Sequence, residues 1–401
     1  WNTDNPHVHV LVRGVASDGR DLVIDRSYIS EGMRARAQER VTIELGPRSE
    51  RDIQQALRRE VDAECWTSLD RRLQKQRDDL GVVDLSPEVD ATRRSNRAFL
   101  IGRAQMLERM GLAEKVGSAR WTLAADLEPT LRALGERGDI IKTMHRAMSG
   151  RGTQGALASF ALHGEDENRR VIGRLVERGL HNELTGEAYA IIEGVDGRAH
   201  YLRFPDLDQT SDAAPSAIVE TSEWTDRKGR RRSSLLVRSD LPLERQVDAR
   251  GATWLDRQLL SPRAETLGGG FGAEVRLALD ERRDRLVDQG LAKRHGKSVT
   301  LARNLLGTLR KQELDSAGEA LAARYGRISR PVAEGEHVSG IYRERITLAS
   351  GRFAMIDDGV GFQLVPWRRD LERHLGKEVA GKVHVRGGVD WNFARSRGPA
   401  V

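Results

Sequence analysis

Two histidines near the start of the chain are, by type and spacing, the residues best suited to do chemistry. His7 and His9 flank Val8 within the apolar segment 8–12. Residues two apart in a strand point to the same face, so a strand here would project both imidazoles side by side. Neutral imidazole nitrogens held on a rigid strand are suitable ligands for a divalent cation. The spacing predicts a metal site, and an edge strand with two solvent-facing histidines is the alternative.

The residues around this pair extend the pattern. The string D-N-P-H-V-H-V-L-V-R-G, residues 4–14, resembles the metal motif of the relaxases, the histidine–hydrophobic–histidine nucleases that nick DNA to start plasmid transfer, and most closely that of the T-DNA border endonucleases. The resemblance implies that His7 and His9 are two of three ligands to Mg²⁺ or Mn²⁺, which would polarise the scissile phosphate. Asn2 stands where the family usually has Asp, a position that orients a ligand histidine.

The resemblance also carries expectations about the whole protein. It places the third histidine just before Trp1 and the nucleophilic tyrosine further upstream, so we expect an N-terminally truncated chain that does not nick DNA by itself. The intact parent would be a site- and strand-specific DNA nickase and transesterase that initiates conjugative plasmid transfer. Implied partners are origin-of-transfer DNA, the type IV secretion coupling protein and relaxosome accessory proteins. The alternative is a non-catalytic DNA-binding or regulatory protein built on winged helices.

Composition sets broad limits on the fold. The chain has 401 residues, of which 38% are hydrophobic and 31% charged, and this length predicts several domains. No apolar run approaches the roughly 18 residues of a membrane-spanning helix, so we expect a cytoplasmic protein without a membrane partner. The single cysteine, Cys65, excludes an intramolecular disulfide framework and a cysteine-based zinc finger.

Positive charge is concentrated locally. Sixty-six basic and 60 acidic residues give a net charge of only +6. The densest basic run spans residues 227–232, and such a cluster can neutralise DNA phosphates, although a solvated loop is the ordinary alternative. The candidate phosphate contacts in this run are Arg227, Lys228, Arg230, Arg231 and Arg232.

An internal repeat predicts two similar units. The segments L-E-R-M-G-L-A at 107–113 and L-V-D-Q-G-L-A at 286–292 are each followed by a glycine, then T-L-A, then T-L-R. In both, an amphipathic helix would end at a glycine and be followed by a hairpin and a second helix, which is the order of a winged helix. We therefore predict that residues 94–135 and 274–313 are equivalent. The basic candidates for phosphate contact near the two turns are Lys115, Arg120, Lys293, Arg294 and Lys297.

The remaining segments predict a mixed architecture. Residues 171–179 have the apolar spacing of a helix, and 188–193 with 199–204 read as a hairpin around an Asp-Gly turn. The glycine-rich string at 267–272 is expected to be a hinge. Short strands separated by glycine turns from residue 338 onward predict a small β-barrel, with Trp367, Trp391 and Phe393 in its core.

The C-terminal part also carries a resemblance. The strings D-D-G-V-G-F-Q-L-V-P-W at 357–367 and V-D-W-N-F-A-R-S-R-G at 389–398 resemble the uncharacterised domain that follows the nuclease in a proteobacterial relaxase subfamily. The predicted fold class is thus α+β and multidomain. The predicted domains are the end of a relaxase nuclease domain with a remnant of its sheet (1–80), a winged-helix-like unit (81–150), an α+β middle domain (151–260), a second winged-helix-like unit (261–330) and the small β-barrel (331–401).

Overall fold

The computed structural model shows a mixed α+β protein, which confirms the predicted class. It describes residues 14–16, 19–78, 81–87, 91–149, 160–162, 170–226, 229–262, 265–296, 298–333, 335–384 and 388–393. For residues 30 and 91–96 it describes the backbone only. Two compact units divide the chain, unit 1 up to Gly138 and unit 2 from Asp139. Within the described ranges, no helix combines the length and the apolar character needed to cross a bilayer.

Unit 1 contains a series of helices and one small sheet. Capping boxes begin two of the helices, with Ser49 and Asp52 at the first and Thr67 and Asp70 at the second. The elements are α1 (Met33–Leu45), which follows a π-helical turn, α2 (Glu50–Val61), α3 (Ser68–Lys75), β1 (Val82–Asp84), α4 (Ala91–Arg109), β2 (Ala113–Gly117), β3 (Arg120–Leu123) and α5 (Leu127–Ser149), which continues past the unit boundary.

The core of unit 1 joins these helices to the sheet. Strand β3 lies between β1 and β2 and is antiparallel to both. Trp121 of β3 is 1% exposed and sits in a cluster with leucines of four helices. Those leucines are Leu57, Leu69, Leu73, Leu100, Leu107, Leu127 and Leu131. The β2–β3 hairpin is therefore held in a fixed position relative to α4.

Unit 2 begins with a six-stranded sheet. Its strands are β4 (Phe160–Leu162), β5 (Ile172–Asn182), β6 (Glu187–Gly194), β7 (Ala199–Phe204), β8 (Ile218–Thr225) and β9 (Arg231–Ser239). Their spatial order is β4-β7-β6-β5-β8-β9, with β4 and β7 parallel and the other pairs antiparallel. The predicted hairpin of 188–193 and 199–204 is confirmed as β6–β7. A short 3₁₀ helix, Leu207–Thr210, follows β7.

The predicted helix over residues 171–179 is wrong, because this segment belongs to strand β5. Its apolar residues happen to recur at helical spacing. In the structure β5 is an interior strand between β6 and β8, and residues 172–176 are buried without alternation. A strand covered on both faces needs no polar positions, so its sequence loses the period-two pattern that identifies a half-exposed strand.

Both predicted helix–hairpin–helix units are present. The second consists of α8 (Phe271–Asp288), β10 (Ala292–His295), β11 (Ser298–Leu301) and α9 (Leu305–Tyr325), and it follows two short helices, α6 (Leu243–Val247) and α7 (Trp254–Leu259). Gly111 and Gly290 follow α4 and α8 with φ of +73° and +71°. This left-handed conformation ends a helix and strongly favours glycine. We call residues 61–135 the first repeat and residues 247–313 the second repeat.

The C-terminal strands form an open sheet rather than the predicted closed barrel. They are β12 (Ile328–Ser329), β13 (His337–Leu348), β14 (Gly351–Asp357), β15 (Gly361–Pro366), β16 (Glu378–Val383) and β17 (Val389–Asn392), in the order β12-β15-β14-β13-β16-β17. In the described residues the edge strands β12 and β17 do not pair. Leu321 of α9 packs on Met355 and Phe362, so a helix covers one face and closure is not needed to bury it.

The other face of this sheet has its own core. Tyr342 and Val338 lie at its centre, and Trp367, Trp391 and Phe393 pack against it, as the sequence predicts. A 3₁₀ helix, Arg369–His374, connects β15 to β16 on this side.

The glycine-rich string at 267–272 packs against the β6–β7 turn. Gly268 donates its N–H to the carbonyl of Val195. A Cβ at Gly268 would lie 2.1 Å from the carbonyl oxygen of Asp196, and one at Gly272 would lie 2.2 Å from that of Val195. These glycines permit two backbones to approach closely. The segment expected to be a hinge therefore packs α8 against the six-stranded sheet of β4–β9, which we call the middle sheet.

Candidate nucleic-acid interface

One buried arginine anchors each repeat. Arg103 of α4 donates from Nε to Asp70 at 2.7 Å, and both side chains are fully buried. Arg282 of α8 donates from Nε to Asp256 at 2.8 Å, again with both side chains fully buried. The Nη atoms complete each network with a second bond to the carboxylate and bonds to three main-chain carbonyls. The carbonyls belong to Val61, Ala63 and Cys65 in the first repeat and to Val247, Ala249 and Gly251 in the second.

These networks satisfy all five N–H groups of each guanidinium, which is the condition for burying an arginine. They also extend the repeat beyond the segments that the sequence analysis matched. The longer repeat can be seen in the sequence when two segments are aligned, V-D-A-E-C-W-T-S-L-D-R at 61–71 and V-D-A-R-G-A-T-W-L-D-R at 247–257. In each, a threonine and an aspartate three residues later form the capping box of the next helix. The same local frame therefore positions both hairpins.

The first hairpin presents its predicted basic residues to solvent. Lys115 is exposed, with Nζ 5.7 Å from the ring centroid of Trp121. The Trp121 Nε1 donates to Glu108 at 3.0 Å, which fixes the ring under the hairpin. Arg120 forms an exposed ion pair with Asp84 at 2.8 Å. Lys115 is thus the predicted contact of this hairpin whose charge no carboxylate of the described residues offsets.

The second hairpin is less suited to binding DNA, because less positive charge is available there. Lys293 is exposed, but Arg294 is ion-paired with Asp284 of α8. Helix α8 carries four arginines and five acidic residues, whereas α4 carries five arginines and one acidic residue. One arginine of each helix is the buried anchor. The helix before the first hairpin therefore has a clear excess of positive charge, and its counterpart does not.

In the basic turn between β8 and β9, the arginines that the structure describes are all paired with carboxylates. Arg230 and Arg232 both pair with Asp226, at 3.1 and 3.2 Å, and Arg231 pairs with Glu223 at 3.0 Å. Two carboxylates thus offset two of the three positive charges. Charge that is held in ion pairs contributes less to counterion release on DNA.

Several predicted site residues lie outside the described residues. They are Asn2, His7, His9, Arg227, Lys228 and Lys297. The proposed metal ligands are among them. In the part of the chain that the structure does describe, no cluster of three or more histidine, cysteine, aspartate or glutamate side chains is arranged to hold a metal ion.

Unit 2 contains a cleft of about 1440 Å³ between β9 and the C-terminal sheet. Asp212 accepts from Arg345 and Arg352 at 2.6 Å each, and Arg352 also pairs with Asp240. The Asp240 carboxylate, followed by that of Asp212, raises the pKa of Arg352. Both arginines lie over the ring of Trp367, at 4.9 and 5.5 Å from its centroid. In the middle of the cleft, two arginines are therefore balanced by two aspartates.

The comparisons with known proteins identify the family. The model of the family described as protein of unknown function (DUF3363) matches residues 100–233 and 222–400. These matches cover more than half of the chain, so the chain belongs to this family. No curated protein and no solved structure matches it.

Proposed function

We propose that this chain is the DNA-binding part of a relaxase, and that the first repeat is a winged-helix-like unit that contacts duplex DNA. The observation that carries the DNA contact is a hairpin that exposes Lys115, next to helix α4, whose sequence has four arginines besides the buried Arg103 and one acidic residue. A helix and a wing of this kind suit a DNA groove and its flanking phosphates. The relaxase assignment rests on the motif at residues 4–14.

The second repeat serves a different role in this proposal. Trp254, Leu255, Phe271 and Val275 of this repeat are buried against the middle sheet. In this proposal the first repeat contacts DNA, and the second repeat, which has the same fold, packs against the middle sheet.

Salt-dependent binding to duplex DNA tests the DNA contact. With roughly five phosphate contacts, the log–log slope of affinity against salt is about −4 to −5. Lys115→Ala should weaken binding and flatten the slope by about 1, because one phosphate contact is lost. The matched control is Arg294→Ala, which changes the equivalent position of the second hairpin. Equal effects of the two variants, or no binding at low salt, would refute the assignment to the first repeat.

Metal binding tests the relaxase assignment separately. When bound, the cation would polarise a scissile phosphate, and His7 and His9 would supply two imidazole ligands. Electron paramagnetic resonance should detect weak Mn²⁺ binding by the chain, which is lost in His7→Ala and His9→Ala but kept in the control His295→Ala. DNA binding without any Mn²⁺ binding would instead identify the non-catalytic DNA-binding protein that the sequence leaves as the alternative.

A further inference from the structure

Three arginines from different elements converge beside the turn between β13 and β14. Arg257 of α7 donates from Nη2 to the carbonyl of Ser350 at 3.1 Å. The guanidinium of Arg310, on α9, lies 5.3 Å from the ring centroid of Phe353. Arg238 of β9 lines the adjoining end of the cleft. We call Arg238, Arg257 and Arg310 the arginine cluster.

The carboxylates around the arginine cluster are too few to neutralise it. Arg238 pairs with Glu220, which also pairs with Arg170, and Arg170 has a second partner in Glu265, so the charge of Arg238 is offset. Among the described residues, Arg257 and Arg310 form no ion pair with a carboxylate. This distinguishes them from the arginines in the middle of the cleft, each of which has an aspartate partner.

The local electrostatics show that the three charges act on one another. Burial lowers the pKa of Arg257 more than the neighbouring Asp256 raises it, and the charges of Arg310 and Arg238 lower it further. Burial also lowers the pKa of Arg310. Like charges held together in a partly desolvated place reduce stability, and such arrangements occur where a ligand of opposite charge binds.

The acidic residue nearest in sequence to Arg310 on α9 is committed elsewhere. Glu313 accepts hydrogen bonds from the main-chain amides of Ala349 and Ser350, at 2.8 Å each. Its carboxylate fastens α9 to the β13–β14 turn, and among the described residues it forms no ion pair with a member of the arginine cluster. The turn is thereby fixed beside Arg257.

We propose that Arg238, Arg257 and Arg310 form a binding site for a phosphate group. Planar guanidinium groups donate paired hydrogen bonds to phosphate oxygens, and a phosphate would remove the repulsion within the cluster. The cleft reaches Arg238 and Gly351, and the side chain of Arg257 is itself exposed to solvent. Nucleic-acid backbones and small phosphorylated compounds both present this group. The proposal rests on unit 2 alone and does not depend on the proposed function.

Thermal unfolding of the full chain tests the site with inorganic phosphate and pyrophosphate as probes. Both should raise the Tm of the wild-type protein above its value in chloride of equal ionic strength. The double variant Arg257→Gln/Arg310→Gln should have a Tm about 2 °C higher without phosphate, because repulsion is removed, and should lose the increase with phosphate. The matched control Arg283→Gln/Arg324→Gln, which changes a half-exposed arginine of α8 and an exposed arginine of α9, should respond to phosphate like the wild type.

Fluorescence anisotropy with labelled oligothymidylate then identifies the source of the phosphate. Binding that phosphate displaces and that the double variant loses assigns the site to a nucleic-acid strand. A phosphate response without oligothymidylate binding assigns it to a small phosphorylated compound. A wild-type protein that responds to none of the three probes, or a double variant that responds like the wild type, would overturn the proposal.

Discussion

Asp212 shows how a single carboxylate ties two parts of unit 2 together. It lies in the loop after β7 and accepts from Arg345 of β13 and Arg352 of β14. Burial raises its pKa, but the hydrogen bonds and charges of these two arginines lower it more, so the pKa lies below its usual range. A carboxyl group with a depressed pKa in the folded state stabilises that state whenever it is ionised.

This predicts a pH-dependent contribution from Asp212. The stabilisation is complete above the unfolded pKa near ~3.9 and is lost as the pH falls through the lower folded value. Asp212→Asn should lower the free energy of unfolding at neutral pH by about 1 kcal/mol or less, because the side chain is half exposed. Urea titrations from neutral pH to below about pH 4 should show the deficit shrinking. Asp280→Asn, which changes an exposed pair within α8, is the control, and an unchanged deficit at low pH would contradict the prediction.

At the scale of elements, substitutions in the glycine-rich string at 267–272 can test how closely α8 packs on the middle sheet. A Cβ at Gly268 would lie 2.1 Å from a backbone oxygen, whereas one at Gly269 would meet nothing within 4 Å. Gly268→Ala should therefore destabilise unit 2 by about 2 kcal/mol or more, and Gly269→Ala by about 0.5 kcal/mol or less. Thermal unfolding of the two variants makes the comparison. Similar Tm values would mean that the string moves freely as a hinge.

The same elements show what the sequence can and cannot predict. The two hairpins are predictable because glycines at helix ends and a repeated pattern are local signals. Strand β5 is not, because burial on both faces erases the alternation that identifies a strand. The open C-terminal sheet depends on cover supplied by α9, a contact between distant segments. Lys115 could be singled out from its place in the hairpin, but the arginine cluster could not, because three separate elements bring its members together.

At the scale of the whole molecule, the repeat places one buried arginine network in each compact unit. Arg103 and Asp70 belong to unit 1, and Arg282 and Asp256 belong to unit 2. Each unit has its own hydrophobic clusters, so each is expected to unfold as its own cooperative transition. The two arginines are therefore matched probes of the two units, since each is fully buried and bonded to one aspartate and three main-chain carbonyls.

Replacing either arginine by alanine leaves a buried aspartate and three carbonyls without donors. Breaking a buried pair in this way costs about 3–5 kcal/mol. Arg103→Ala should lower the Tm of one calorimetric transition and leave the other unchanged. Arg282→Ala should lower the Tm of the other transition and leave the first unchanged. Arg132→Ala, which removes an exposed pair with Glu128 and a contact with the Trp66 ring, should change either transition by about 1 kcal/mol or less. If both buried-arginine variants shift a single common transition, the two units unfold as one cooperative body.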